Sequence, residues 1–290
     1  MEKRLLTCLV RDDFTNFILL YRKLVMSNFD LIGINTAYDK KAKKFVLSQD
    51  IISSFNGIAY LGPTPIYEEY VSVANFPHDI DLNRYVNNTI NIDIIEHLKN
   101  HHLEKIFPRQ PTNYMHKINV NKEMFEDVQK LIDKNAINIA INAFDTNYDA
   151  EFSLQYDLIY CLDKIEAQVN KPIHIYMVAV VHSTKAGMIE RSITEALEPF
   201  NFTLHNYAGK TLTEQMAVLL NSDLLLSGPY GLGFLAYTAH VPAFIIYPFD
   251  MHFLKGKTID PTRNTDWYIE TTDEDVFTDV KKAVDLIHRK

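Results

Sequence analysis

The chain has 290 residues, 47% hydrophobic and 23% charged, the composition of an ordinary globular protein long enough for two cores. A net charge of −8 at pH 7 speaks against a general nucleic-acid binder. No apolar run reaches the ~18 residues of a membrane span, and Met1-Glu2-Lys3-Arg4 is followed by too short an apolar run for a secretory leader. Cys8 and Cys161 offer no disulfide framework, so a reduced, cytoplasmic setting is expected.

In the first half, Leu5–Val10 and Leu31–Ile34 are candidate strands, with a helix between them using Phe17, Leu20, Tyr21 and Leu24. Gly57–Leu61 is a third candidate, ended by the breaker Gly62-Pro63. The stretch Pro65–Asn91 resists assignment, and helices are expected at Ile92–Ile106 and Glu123–Lys134. Charge is balanced here, since residues 1–134 carry 17 Lys/Arg and 17 Asp/Glu, against 12 and 20 in residues 135–290. The one dense basic cluster, Lys40, Lys41, Lys43 and Lys44, is read most simply as a solvated helix face. Its sharper reading is a patch for an anionic acceptor or the inner face of a membrane.

From Ile137 onward apolar runs alternate with helical patterns. Ile137–Phe144 and Ile173–Val181 are short and rich in Ile and Val, as strands buried on both faces should be. Leu158, Leu162, Ile165 and Val169 mark an amphipathic helix between them, and Ile189, Ile193 and Leu197 mark the next. A strand is expected at Phe202–Tyr207. Thr211 and Glu214 then form a capping-box start, followed by Met216, Leu219 and Leu220 on one face. Asp223–Ser227 is a fourth strand, Leu232–His240 a helix and Ala243–Tyr247 a fifth strand. A last helix over about Asp273–His288 has Thr272 as its candidate cap.

This alternation predicts an α/β domain, a parallel sheet of about five strands covered by helices on both faces. The expected domains are 1–134, 135–272 and a closing helical segment 273–290. Ligands in such sheets bind beyond the carboxyl ends of the strands. That rule selects Ala143–Asp149, His182–Gly187, Ala208–Thr211, Ser227–Gly233 and Pro248–His252.

Ser227-Gly228-Pro229-Tyr230-Gly231-Leu232-Gly233 holds three of the chain's nine glycines. Glycine permits positive φ and close backbone approach, and the following helix start offers amide donors for a diphosphate. Neither GxGxxG nor GxxxxGK[ST] is present, which lowers the case for dinucleotide redox chemistry and for a P-loop ATPase. A tight turn with no ligand is the plain alternative.

The stretch Gly209-Lys-Thr-Leu-Thr-Glu214 … Ser222-Asp-Leu-Leu-Leu-Ser-Gly-Pro-Tyr-Gly231-Leu-Gly-Phe-Leu235-Ala236 … Val241-Pro242-Ala-Phe-Ile-Ile-Tyr-Pro248 resembles the nucleotide-sugar half of GT-B glycosyltransferases. The likeness is to the heptosyltransferase-like group, glycosyltransferase family 9, over about 115 residues. The family's Ser-Gly falls on Tyr230-Gly231 and its Leu-Ala on Leu235-Ala236, while its turn Asp falls on Pro229 and its His on Phe234. The resemblance implies two Rossmann-like domains, a final helix packing back toward the first, and a donor nucleotide diphosphate-sugar held by the second. It also implies a glycan or glycolipid hydroxyl as acceptor, with no metal and no further cofactor in the inverting members. The family's base is an acidic residue opening the first helix, here Asp13 or Asp12, though an acidic N-cap pair explains both without catalysis.

Other residues carry weaker signals. Ser183, Thr184 and Lys185 follow the second strand of this half and suit a phosphate contact; an exposed helix start is the alternative. Glu214 can accept ribose hydroxyls, but its place in a capping box explains it equally. His252 and Asp250 follow the fifth strand and can line the cleft. Asp79-Ile80-Asp81 and the His97/His101 pair lack the context of metal sites. Two further readings stand beside the transferase: a nucleotide-sugar epimerase or hydrolase on the same scaffold, and a non-catalytic sugar-nucleotide binder.

Overall fold

The computed structural model describes residues 5–10, 31–38, 58–65, 80–81, 121–143, 151–180, 191–249, 252, 255–256 and 266–289. The expectations placed on Asp12, Asp13, Lys40–Lys44, Ser183, Thr184, Lys185 and Asp250 lie outside them. The chain divides into two compact units, Met1–Asn119 and Val120–Lys290.

The first unit contains strands β1 (Leu5–Val10), β2 (Leu31–Tyr38), β3 (Ile58–Pro65) and β4 (Ile80–Asp81), all paired in parallel in the order β3-β2-β1-β4. Contrary to expectation, β3 runs through Gly62-Pro63 instead of stopping there. It has one described neighbour, β2, so a proline without an N–H costs no ladder bond on its other side. The register slips between Ile34 and Asn35, which takes up the irregularity.

The second unit begins with helix α1 (Lys122–Leu131), capped by the Asn121 side chain on Met124 N–H. It precedes the boundary expected near Asn135, yet its contacts are with the second sheet's layer. Gln129 Nε2 donates to Asn221 Oδ1 at 3.2 Å, and Thr211 Oγ1 lies 3.3 Å from Met124 Sδ. Then follow β5 (Ile137–Asn142), α2 (Glu151–Glu166), β6 (Ile173–Met177), a helical stretch at 191–197, and β7 (Phe202–Asn206). The remainder is α3 (Leu212–Asn221), β8 (Leu224–Ser227), α4 (Gly231–Ala239), β9 (Ala243–Tyr247), β10 (Tyr268–Thr272) and α5 (Val276–His288).

The sheet has six parallel strands ordered β10-β9-β8-β5-β6-β7, one more than the five expected. The extra strand, β10, was invisible to an apolar-run criterion because Tyr268-Ile-Glu-Thr-Thr is half polar. Successive side chains alternate between faces. Ile137, Ile139 and Ile141 join Ile173, Ile175, Met177, Leu224, Leu226, Phe244 and Ile246 in a core with α2 and α5. On the opposite face of β5 are Asn138 and Asn142, also buried.

As expected, Leu158, Leu162 and Ile165 fill the core from α2, and Met216 and Leu219 are buried from α3; Leu220 instead is 40% exposed. The last helix, for which the resemblance implies a seat toward the first domain, buries Val276, Val280, Ala283, Val284 and Ile287 in the second unit's core. The helix starts later than expected, at Val276 with Asp275 as N-cap and no side-chain cap bond, and Thr272 Oγ1 accepts Asp275 N–H in the turn before it. No helix among the described residues is long and apolar enough to cross a membrane.

Asp157 of α2 is 8% exposed, and burial, with the Asp273 carboxylate nearby, pushes its acid up to about 6. The folded state therefore holds a proton that the unfolded chain releases at lower pH. Stability falls as pH climbs from the ordinary carboxylate range to about 6 and stays reduced above it. Asp157→Asn is expected to stabilise the protein by on the order of 1–2 kcal/mol at pH 7.5 and negligibly near pH 4. Thermal melts across that range check this; equal shifts at both pH values would show that Asp157 ionises normally.

Candidate functional site

Strands β5, β6 and β7 run outward in one direction and β8, β9 and β10 in the other, so the order reverses between β5 and β8. A crevice at the carboxyl ends of two such strands is the usual ligand position in an open parallel sheet. The turn after β8, Gly228-Pro229-Tyr230, lies at this point and opens α4 with Tyr230 as N-cap.

The turn is built differently from the sequence expectation. Neither Gly228 nor Gly233 takes a positive φ; both are required by space. A Cβ on Gly233 would lie 2.9 Å from Gly228 O and 3.2 Å from Ser227 Oγ and Ile245 Cδ1. A Cβ on Gly228 would meet the Tyr230 ring at 2.3 Å. The amides expected to fan around Tyr230 are partly consumed: Tyr230 N–H donates to Gly228 O at 2.8 Å and Gly228 N–H to Asn142 O at 3.2 Å. Ser227 Oγ donates to Gly228 O at 2.7 Å, and the Tyr230 side chain is buried in the core. Every residue from Ser227 to Gly233 is buried. An α-helix leaves its first N–H groups without an intrahelical carbonyl, and α4 starts here at Gly231. Phe234, on the family's His position, is fully buried and packs instead of reaching a ligand.

The open surface lies farther along the same edge. A groove of about 790 Å³ is lined by Met124, Asp127 and Val128 of α1, by Leu204–Tyr207 at the end of β7, and by Lys210 and Glu214. Thr211 Oγ1 accepts from Glu214 N–H, and Glu214 Oε2 accepts from both Thr211 N–H, at 2.9 Å, and Thr211 Oγ1, at 2.7 Å. The capping box thus holds the carboxylate through Oε2. Burial and the neighbouring Glu214 raise the Tyr207 phenol above its ordinary range, so it stays a neutral hydroxyl. His205 stacks on Tyr176 at 4.6 Å and shares a 3.3 Å contact with His174. Burial, then the second imidazole, lower its affinity for a proton.

Beyond β9, His252 Nε2 meets Asp273 Oδ1 at 2.7 Å, and Asp273 Oδ2 accepts Phe249 N–H at 2.9 Å. Tyr207, Lys210, Phe249 and Asp273 were not singled out from sequence. Lys210 and Phe249 do fall in segments selected by the carboxyl-end rule, whereas Asp273 follows a strand, β10, that the sequence pattern did not show. Among the residues described, no group of three or more His, Cys, Asp or Glu could hold a metal ion.

No family model matches the sequence, and no curated protein does. Solved structures do resemble it. A glycosyl transferase family 9 protein from Veillonella parvula covers 99% of this chain and 98% of its own at 12% identity, with a TM-score of 0.57. ADP-heptose lipopolysaccharide heptosyltransferase II of E. coli covers 99% of both chains at 10% identity, with the same TM-score. At these identities the likeness is one of fold, and the fold is that of the GT-B glycosyltransferases to which the glycine-turn segment pointed.

Proposed function

We propose that the chain is a glycosyltransferase that moves a sugar from a nucleotide diphosphate-sugar to a hydroxyl of a glycan or glycolipid precursor, without a metal or further cofactor. The observation that carries this is the groove at the carboxyl edge, with Lys210 beside a Glu214 carboxylate locked by its own helix cap. A locked carboxylate suits paired ribose hydroxyls, because no side-chain freedom is lost on binding. From there to the turn after β8 is three strand spacings, roughly 14 Å. That is a span along which a nucleoside can occupy the groove while its diphosphate approaches the start of α4. Ser183, Thr184 and Lys185, which come after β6 in the sequence, are proposed as the phosphate contacts.

In the reaction the acceptor oxygen attacks the anomeric carbon, Asp13 (or Asp12) takes the hydroxyl proton, and the bond to the diphosphate breaks. The basic cluster Lys40–Lys44 would meet an anionic acceptor or membrane face. A second reading, a non-catalytic sugar-nucleotide binder, is favoured by one observation: the positions of the family's Asp and His hold Pro229 and a fully buried Phe234.

Calorimetry with adenosine, guanosine and uridine diphosphates is expected to show binding of at least one. Hydrolysis of the matching nucleotide-sugar is expected in the native protein and its loss in Asp13→Ala. Binding without turnover selects the second reading, and silence toward all three nucleotides rejects both.

A further inference from the structure

Of the described residues that follow β9, Phe249, His252, Lys255 and Gly256 are each tied to β10 or the turn after it. Asp273 holds Phe249 N–H and the His252 ring, and the Glu270 carboxylate accepts Gly256 N–H at 2.9 Å as well as the Tyr247 hydroxyl. Lys255 Nζ adds a 3.5 Å contact to Asp275. What this bracing presents is an aromatic ring in water: Phe249 is 75% exposed although it touches the His252 ring edge-on at 5.6 Å. β9 is the hydrogen-bonded neighbour of β8, so Phe249, two residues past the end of β9, lies at the carboxyl edge of the sheet on the side of the turn that opens α4.

We infer that Phe249, with His252 oriented by Asp273, is a subsite for a neutral pyranose ring. The exposed phenyl face covers the ring's C–H side, and the imidazole, its Nε2 engaged by Asp273, uses Nδ1 for a ring hydroxyl. The charge around it argues for a neutral ligand. Asp273, which accepts Phe249 N–H and holds the His252 ring, disfavours an acidic sugar at this position, whereas a polyhydroxylated ring supplies donors to a carboxylate and apolar hydrogens to a phenyl face. The inference rests on the transferase reading only for what the ring belongs to, the donor's sugar or the acceptor's.

Saturation-transfer NMR on the full chain separates the cases. One arm uses methyl glycosides of glucose, galactose, mannose and N-acetylglucosamine; the other uses adenosine diphosphate-glucose, uridine diphosphate-glucose and guanosine diphosphate-mannose. Transfer to pyranose ring protons is expected in at least one arm. It is expected to be lost in Phe249→Ala, kept in Phe249→Trp, and unchanged in Phe277→Ala, an exposed aromatic on α5 serving as control. Signal from free glycosides marks an acceptor subsite, and signal confined to the nucleotide-linked sugars marks a donor subsite. Nucleoside protons report separately on nucleotide binding, so that reading stands or falls by itself. No pyranose signal in either arm, or full signal in a Phe249→Ala protein whose tryptophan fluorescence matches the native, overturns the subsite.

Discussion

Gly233→Val is expected to destabilise the second unit by about 3 kcal/mol or more. The new side chain has nowhere to go, because a Cβ already meets Gly228 O at 2.9 Å, a backbone atom that cannot rotate away. Gly233→Ala should cost less, about 1–2 kcal/mol, since alanine in a helix returns about 1 kcal/mol of propensity. Gly256→Ala makes the contrast. Nothing lies within 4 Å of its Cβ, but φ is +73°, so its cost is one of backbone conformation, about 1 kcal/mol. The single tryptophan, Trp267, lies in the second unit, so urea melts followed by its fluorescence report on that unit. A Gly233→Val protein as stable as the native would mean that the turn relaxes without loss and that its tightness is incidental.

The second large effect is on binding. Glu214→Ala is expected to weaken nucleotide diphosphate affinity by about tenfold or more, the scale of a lost charge-assisted hydrogen bond. It also removes one half of the capping box and so lowers stability by about 1 kcal/mol. Glu214→Gln separates the two roles. Glutamine still completes the box with Thr211 but gives ribose a neutral acceptor, so stability should be retained while affinity drops. Titration calorimetry beside thermal melts reads both. If Glu214→Ala loses stability and keeps full affinity, Glu214 is a cap and nothing more.

Those two positions show what sequence could and could not reveal. The parallel sheet was legible because buried strands such as Ile137–Asn142 and Ala243–Tyr247 are continuous apolar runs, and their alternation with amphipathic helices leaves few topologies. β10 was missed for the opposite reason: Glu270 and the threonines make an edge strand look like a loop. The glycine cluster was correctly located but misread. Spacing tells where glycine is needed, whereas only coordinates tell whether it serves a positive φ or a close approach. The groove was hardest, since it joins Met124 and Asp127 of one helix to Tyr207 and Lys210, eighty or more residues on. The amphipathic pattern of α1 says that a partner exists and is silent on which sheet supplies it. Likewise the His252–Asp273 contact spans 21 residues that no local pattern connects.

The reversed strand order also governs how the second unit comes together during synthesis. β5 is made first yet becomes the central strand. One of its flanks is closed by β6 soon after, but the other waits for β8, whose approach is marked by the bond between Asn138 N–H and Asp223, 85 residues away. Until then Ile139 and Ile141 border an open, sticky edge, and the last cover on their face arrives only with α5. Distant pairing of this kind slows folding and leaves the nascent chain exposed to misassociation. Chaperone dependence should therefore concentrate in the interval between translation of β5 and release of the final helix.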